Sequence, residues 1–216
     1  MSNDLKKINN LNLAESFLQV DFIKGFKYID KAGEIINAFH QGNKAPFVSG
    51  IGIEGLIIND PDSNTKTVKV SPSMFWAHFL SPGSLDLANS QFEEKLGIIF
   101  DILDIEKIKR IGWRNYFIKE ISNEVERDKI TKKFSPSDDI VFQGGLFSCE
   151  LKDIEINIRI NKVQKDDATP ALLFDIDCYQ KNEDGIKVEE VNAKLSAIKN
   201  VLRSDDLLTI LNQLIK

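Results

Sequence analysis

Ile154, Ile156, Ile158 and Ile160 alternate with Glu155, Asn157, Arg159 and Asn161. Successive residues of a strand point to opposite faces, so this run puts four isoleucines on one side and four polar groups on the other. It predicts a strand buried on one face only. Leu172, Phe174, Ile176 and Cys178 repeat the pattern against Leu173, Asp175, Asp177 and Tyr179. One-sided strands belong to antiparallel sheet, because the strands of a parallel sheet are covered on both faces.

Asp184-Gly185 is expected to turn the chain out of the second strand. Val188, Val191, Leu195, Ile198 and Leu202 then recur at helical spacing, and Ser204-Asp205-Asp206 opens a last helix with Leu207, Leu211 and Leu214 facing inward. Acids in that first turn complement the helix dipole. In the first half, residues 1–12 read as a frayed start and Phe17–Ile23 as a strand. Ile29, Ala32, Ile36 and Phe39 predict a helix that Gly42 stops, with His40 at its C-terminus. Pro46–Ile58 and Thr65–Val70 read as a hairpin turned at Asp60-Pro61-Asp62-Ser63-Asn64, and Met74–Leu80 as a buried strand or packing segment.

Ser90 with Glu93 has the form of a capping box ahead of Phe92, Leu96, Ile99 and Leu103, the central helix. Lys109–Ile121 reads as a strand and Ser122–Asp139 as a charged connector. The fold class expected is α+β: mostly antiparallel sheet, with one central helix and two C-terminal helices packed on a face. The organisation is an α+β half over 1–122 and a sheet-plus-helical-hairpin half over 123–216, or one continuous domain.

A chain of 216 residues with a net charge of −5 does not suit general coating of nucleic acid or membrane. Two cysteines cannot make a disulfide framework, and no run approaches the roughly 20 apolar residues of a membrane span. The expected location is the cytoplasm, with no membrane partner.

Gly50-Ile51-Gly52-Ile53-Glu54-Gly55 matches the dinucleotide fingerprint, but that chemistry needs a helix N-terminus at the loop to hold the pyrophosphate. Leu56, Ile57 and Ile58 continue as strand instead, so a glycine-bearing, bulged strand is expected and no cofactor is assigned. Asp175 and Asp177 share one strand face, and Glu155 on the neighbouring strand adds a third oxygen donor. Three such carboxylates suit a divalent cation, while Arg159 on the same face is expected to pair with them. Residues 107–133 carry nine basic side chains against four acids, with Trp113, Tyr116 and Phe117 interleaved. Lys109, Arg110, Arg114, Lys119, Lys132 and Lys133 are the candidate phosphate contacts of that stretch. His78, between Trp76 and Phe79, reads as a core or interface histidine with no visible acid partner, and Cys149 and Cys178 as buried, inert thiols.

Arg110-Ile111-Gly112-Trp113-Arg114-Asn115-Tyr116 and Phe174-Asp175-Ile176-Asp177 together resemble the signature elements of a sporadically distributed prokaryotic family of uncharacterised proteins. The resemblance covers about residues 85–216. Asn115 is wedged before Tyr116, and the Asn that usually ends the first element is missing. The resemblance implies a mobile or defence-type gene context and carries no catalytic residue. No set of reactive groups converges in the sequence, so the function expected is a non-catalytic interaction or assembly module with a protein partner, self-association as a homodimer included. Nucleic-acid binding through the basic stretch and metal-dependent hydrolysis at Asp175 and Asp177 are the alternatives.

Overall fold

The computed structural model describes residues 5, 8, 11–23, 27–39, 47–52, 54–59, 66–132, 144–165 and 167–215. Within these residues nine strands make one sheet: β1 (Asn12–Phe22), β2 (Phe47–Gly52), β3 (Gly55–Asn59), β4 (Lys66–Val70), β5 (Met74–Leu80), β6 (Lys107–Glu120), β7 (Gly144–Leu151), β8 (Ile154–Gln164) and β9 (Pro170–Lys187). Among the described residues five helices accompany them: α1 (Tyr28–Ala38), α2 (Leu85–Leu103), α3 (Glu124–Lys132), α4 (Val188–Leu202) and α5 (Asp205–Ile215). The spatial order is β2-β3-β4-β5-β1-β6-β9-β8-β7. Every neighbouring pair is antiparallel. The chain is thus an α+β fold built on antiparallel sheet.

β1 and β6 form the middle seam, and a meander lies outside each of them. One pattern, strand–helix–meander–helix, runs through β1 to α2 and again through β6 to α4. The boundary expected at 122–123 falls between β6 and α3, and the sheet continues across it through the β6–β9 pairing.

Alternation makes one face of this sheet apolar from edge to edge. Leu18, Val20, Phe75, Phe79, Ile111, Trp113, Phe174, Ile176 and all four isoleucines of β8 are buried there. Each such side chain contributes roughly 1.5–3 kcal/mol when fully withdrawn from water. The helices cover that face. Phe92 of α2 stacks on Phe79 at 4.6 Å and meets Trp113 edge-on at 5.6 Å. α4 packs on β6 and β9, and α1 on α2. Lys162, in register with buried Leu172, pairs with Asp128 of α3, which places α3 on the same side. A hydrogen-bonded chain lies within this core: the Trp113 indole donates to Ser16 Oγ at 2.7 Å, and the Ser16 hydroxyl donates to Asn115 Oδ1 at 2.8 Å.

Several boundaries differ from expectation. The helix carrying Phe92 and Leu96 begins at Leu85, with Ser84 as its N-cap accepting from the Leu87 N–H at 3.2 Å. Ser90 sits a turn and a half further on, exposed and already helical, so the Ser90–Glu93 pair caps nothing. Residues 47–59 are two strands, since Gly52 pairs with Gly55 across a tight hairpin and β4 then extends the meander. The register shift between Ser49 and Ile51 supplies the expected bulge. The charged connector contains α3, held by buried Ile130 and Thr131. Asp184-Gly185 does not turn the chain into the helix. Ile108 pairs with Ile186 while Arg110 pairs with Lys181, so residues 182–185 bulge out of β9, with Gly185 at φ +87°, and the strand resumes to Lys187. The start is not loose at Leu5, whose N–H donates to Asn212 Oδ1 and whose carbonyl accepts from Asn212 Nδ2 on α5. His40, Gly42, Asp60–Asn64, Thr65 and Lys133 lie outside the described residues.

Candidate binding face

The other face of the same strands is polar and aromatic. Its side chains are mostly half-buried by one another, and the packing contacts that place the helices put them on the opposite face. Register brings distant residues into rows across it. His78, Phe17, Arg114, Asp177 and Asn157 form one row from β5 to β8. Leu80, Glu15, Tyr116, Asp175 and Arg159 form the next. On the far side of the first row lie Trp76, Gln19, Gly112, Tyr179 and Glu155.

The two elements behind the family resemblance meet here. Period two places Arg110, Gly112 and Arg114 of β6 on this face, beside Asp175 and Asp177 of β9. The Arg114 guanidinium donates from Nε and Nη2 to the two carboxylate oxygens of Asp175, both at 2.6 Å. This two-pronged geometry is the strongest form of the pair, and it raises the Arg114 pKa further above its ordinary value. The Asp175 side chain is only 6% exposed against 40% for Arg114, so the arginine works as the lid on a buried carboxylate.

Arg110 is held differently. Its Nη2 reaches Asp177 Oδ2 at 3.3 Å, and its guanidinium lies 4.7 Å from the centre of the Tyr179 ring. Gly112 makes this pose available, since a Cβ there would approach the Arg110 guanidinium to 2.8–3.0 Å. Burial pushes the Asp177 carboxyl above the ordinary carboxylate range, against the opposing pull of Arg110 and Arg114. Glu155 accepts from the Tyr179 hydroxyl at 2.7 Å and pairs with Lys181 at 3.1 Å, which lowers its pKa.

Towards the first meander, Phe17 stacks on His78 at 4.1 Å and meets Trp76 and Tyr116 at 5.9 and 5.2 Å. His78 does have an acid partner: Glu15 Oε2 lies 2.9 Å from its Nε2. The sequence hides this pair because it joins strands 63 residues apart. A depression of about 290 Å³ opens over Gly112, lined by Phe17, Gln19, Trp76, Arg110, Arg114 and Asp177.

Asp175, Asp177 and Glu155 do share this face, as expected. Their carboxylates are turned to Arg114, to Arg110, and to Tyr179 and Lys181 respectively, and among the described residues no three His, Cys, Asp or Glu side chains are grouped to hold a metal ion. Arg159 is not the partner of Asp175: it is in register with it but exposed, and the carboxylate is occupied by Arg114 from the opposite strand. The five described basic candidates do not converge. Arg110 and Arg114 share the open face. Lys109 occupies the bulge between Ile108 and Arg110, Lys119 is in register with Leu172 on the core side, and Lys132 is at the end of α3. Cys178 is buried, which pushes its thiol up, and Cys149 is half-buried with the same sense of shift. No described helix is long and apolar enough to cross a membrane.

No family model matches the chain, and no curated protein matches it.

Proposed function

We propose that this protein is a non-catalytic interaction module whose contact surface is the open face of the sheet. The observation that carries this is the gathering of Trp76, Phe17, Tyr116 and Tyr179 with Arg110 and Arg114 on a single face. Trp, Tyr and Arg are the residues that most often dominate protein–protein binding energy. Here both arginines are already fixed by carboxylates and rings, so little side-chain freedom remains to be lost on binding.

The charge of the face favours a protein over a polyanion. On the paired stretches of β1, β6, β8 and β9, Glu15, Asp21, Glu155, Asp175 and Asp177 stand among Arg110, Arg114, Arg159 and Lys181. A surface with both signs interspersed gives directional complementarity, whereas a phosphate backbone calls for one sign. The partner is a protein, a second copy of this chain included.

The test compares wild type with the Trp76→Ala/Arg110→Ala variant and with a control altered at exposed Val125 of α3. Light scattering reads self-association, and retrieval from native lysate with mass spectrometry reads other partners. Wild type and control are expected to show the same dimer or the same retrieved protein, and the open-face variant to lose it. A monomeric wild type that retrieves nothing, or an open-face variant indistinguishable from it, overturns the proposal. Retention of the wild type on single-stranded nucleic acid at low salt, lost steeply as salt rises, would replace it with nucleic-acid binding. A melting temperature raised by Mn²⁺ or Mg²⁺ would return Asp175, Asp177 and Glu155 to a metal role.

A further inference from the structure

We infer that the depression over Gly112 is a binding site for a small planar anion, an aromatic carboxylate in its simplest form, with Arg110 as the group that receives the charge. This goes beyond the proposed interaction surface and stands on the pocket's own geometry.

The volume is right for one ring. About 290 Å³ is roughly twice the cavity that takes up a benzene molecule. The wall on the β1–β5 side is aromatic: Phe17 and Trp76 lie 5.9 Å apart with their planes inclined by 37°. Two guanidiniums and one carboxylate line the remainder, so the lining carries a net positive charge.

The two guanidiniums are not equivalent. Arg114 is committed to Asp175 through two hydrogen bonds of 2.6 Å. Arg110 has one contact of 3.3 Å to Asp177 and rests on Tyr179, with its side chain only 23% exposed. It is oriented but weakly paired. An incoming carboxylate therefore meets a partly desolvated planar donor with a single long contact to give up, and a guanidinium fork matches a planar carboxylate. The missing side chain of Gly112 lets the Arg110 guanidinium lie flat over that residue, so the guanidinium itself is the surface a ligand meets there. On neighbouring β1, the half-buried Gln19 lies beside Gly112 in register.

Benzoate, with benzamide as its neutral isostere, is titrated into purified protein. The Gly112 amide and the Trp76 indole are followed by two-dimensional NMR, and the Trp113 indole, buried on the opposite face, is the reference. Benzoate is expected to shift the first two signals saturably, with a midpoint on the order of a millimolar, and to leave Trp113 in place. Benzamide is expected to bind at least tenfold more weakly. Gly112→Ala, which pushes the Arg110 guanidinium aside while leaving extended backbone that alanine accepts, is expected to weaken benzoate at least tenfold, and Arg110→Gln to do the same. No saturable shift, equal binding of benzamide, or undiminished binding to a folded Gly112→Ala protein overturns the inference. The benzoate–benzamide comparison needs no variant, and at a protein concentration where light scattering shows a monomer its failure is separate from failure of the interaction reading.

Discussion

The two faces of this sheet are made by the same strands and differ in nearly every physical respect. On the helical face, contact is mainly apolar, with one short polar chain, Trp113–Ser16–Asn115, buried within it. On the open face, contact is between charges and rings: Arg114 on Asp175, Arg110 on Tyr179, Phe17 on His78. The first face loses stability wherever volume is removed. The second loses most where a buried charge is stranded. A sheet with both faces apolar would need helices on both sides, whereas a lattice of charge and rings does not.

The sharpest way to break this contrast is to truncate one tryptophan on each face. Trp113→Ala is expected to destabilise by about 3–5 kcal/mol, since it removes a fully buried ring and its packing against Phe92. Trp76→Ala, half-exposed, is expected to cost about 1 kcal/mol in the same urea denaturation series. Equal costs would show that the open face is as much a core as the other.

Next in size is Arg114→Ala, which leaves the Asp175 carboxylate buried with its lid gone; a loss of about 2–3 kcal/mol is expected. Removing Asp175 as well should recover part of that loss. A double-mutant cycle with coupling near zero would mean the pair is a solvated surface contact.

Helix initiation on the covered side gives a smaller effect. Ser84→Ala should cost about 1 kcal/mol in thermal or chemical melting through loss of the cap to Leu87. Ser90→Ala should stay within about 0.5 kcal/mol. The reverse ranking would restore the capping-box assignment.

The smallest effect is a pH dependence. Burial holds Asp177 above the ordinary carboxylate range, so the fold favours its protonated form. Ionisation therefore costs stability, and that cost sets in as pH rises through the acid range and is complete at neutrality. Asp177→Asn cannot ionise and is expected to melt above wild type at about pH 7, with the gap closing as pH falls to about 3. A gap of constant size would refer the effect to the contact with Arg110 instead.

The helical face was legible in the sequence because its signals are local. Ile154 to Ile160 declare their side by period two, and Phe92, Leu96, Ile99 and Leu103 by helical spacing, whatever lies far away in the chain. Where local patterns misled, a second local pattern was competing. The helix starts after Pro82-Gly83-Ser84, with Asp86 in its first turn, and the Ser90–Glu93 match is one of form alone. The hairpin at Gly52 and Gly55 was hidden in a continuous apolar run, and α3 by its low apolar content. The open face was half legible. Alternation put Asp175 with Asp177, and Arg110 with Arg114, on common faces. Which arginine would meet which acid depends on the register of β6 against β9, across 61 residues of sequence, and nothing in either segment states it. The same holds for Trp76 and Phe17, which meet only because β5 folds back onto β1.

The central seam also sets a timetable. β1 is made first yet lies in the middle, and its second neighbour, β6, is synthesised only after the whole first meander and α2. β6 in turn offers a 14-residue edge whose other partner, β9, begins about 50 residues later. At ribosomal rates of roughly 5–20 residues per second, that edge stands unpaired for roughly 3–10 s on each nascent chain. During that interval Arg114 is without Asp175, and Trp113 and Phe117 are without Cys178 and Phe174 beside them. A stall or truncation between residues 121 and 169 would hold the chain in this state, with its longest unpaired ladder outermost and ready to template a neighbouring copy.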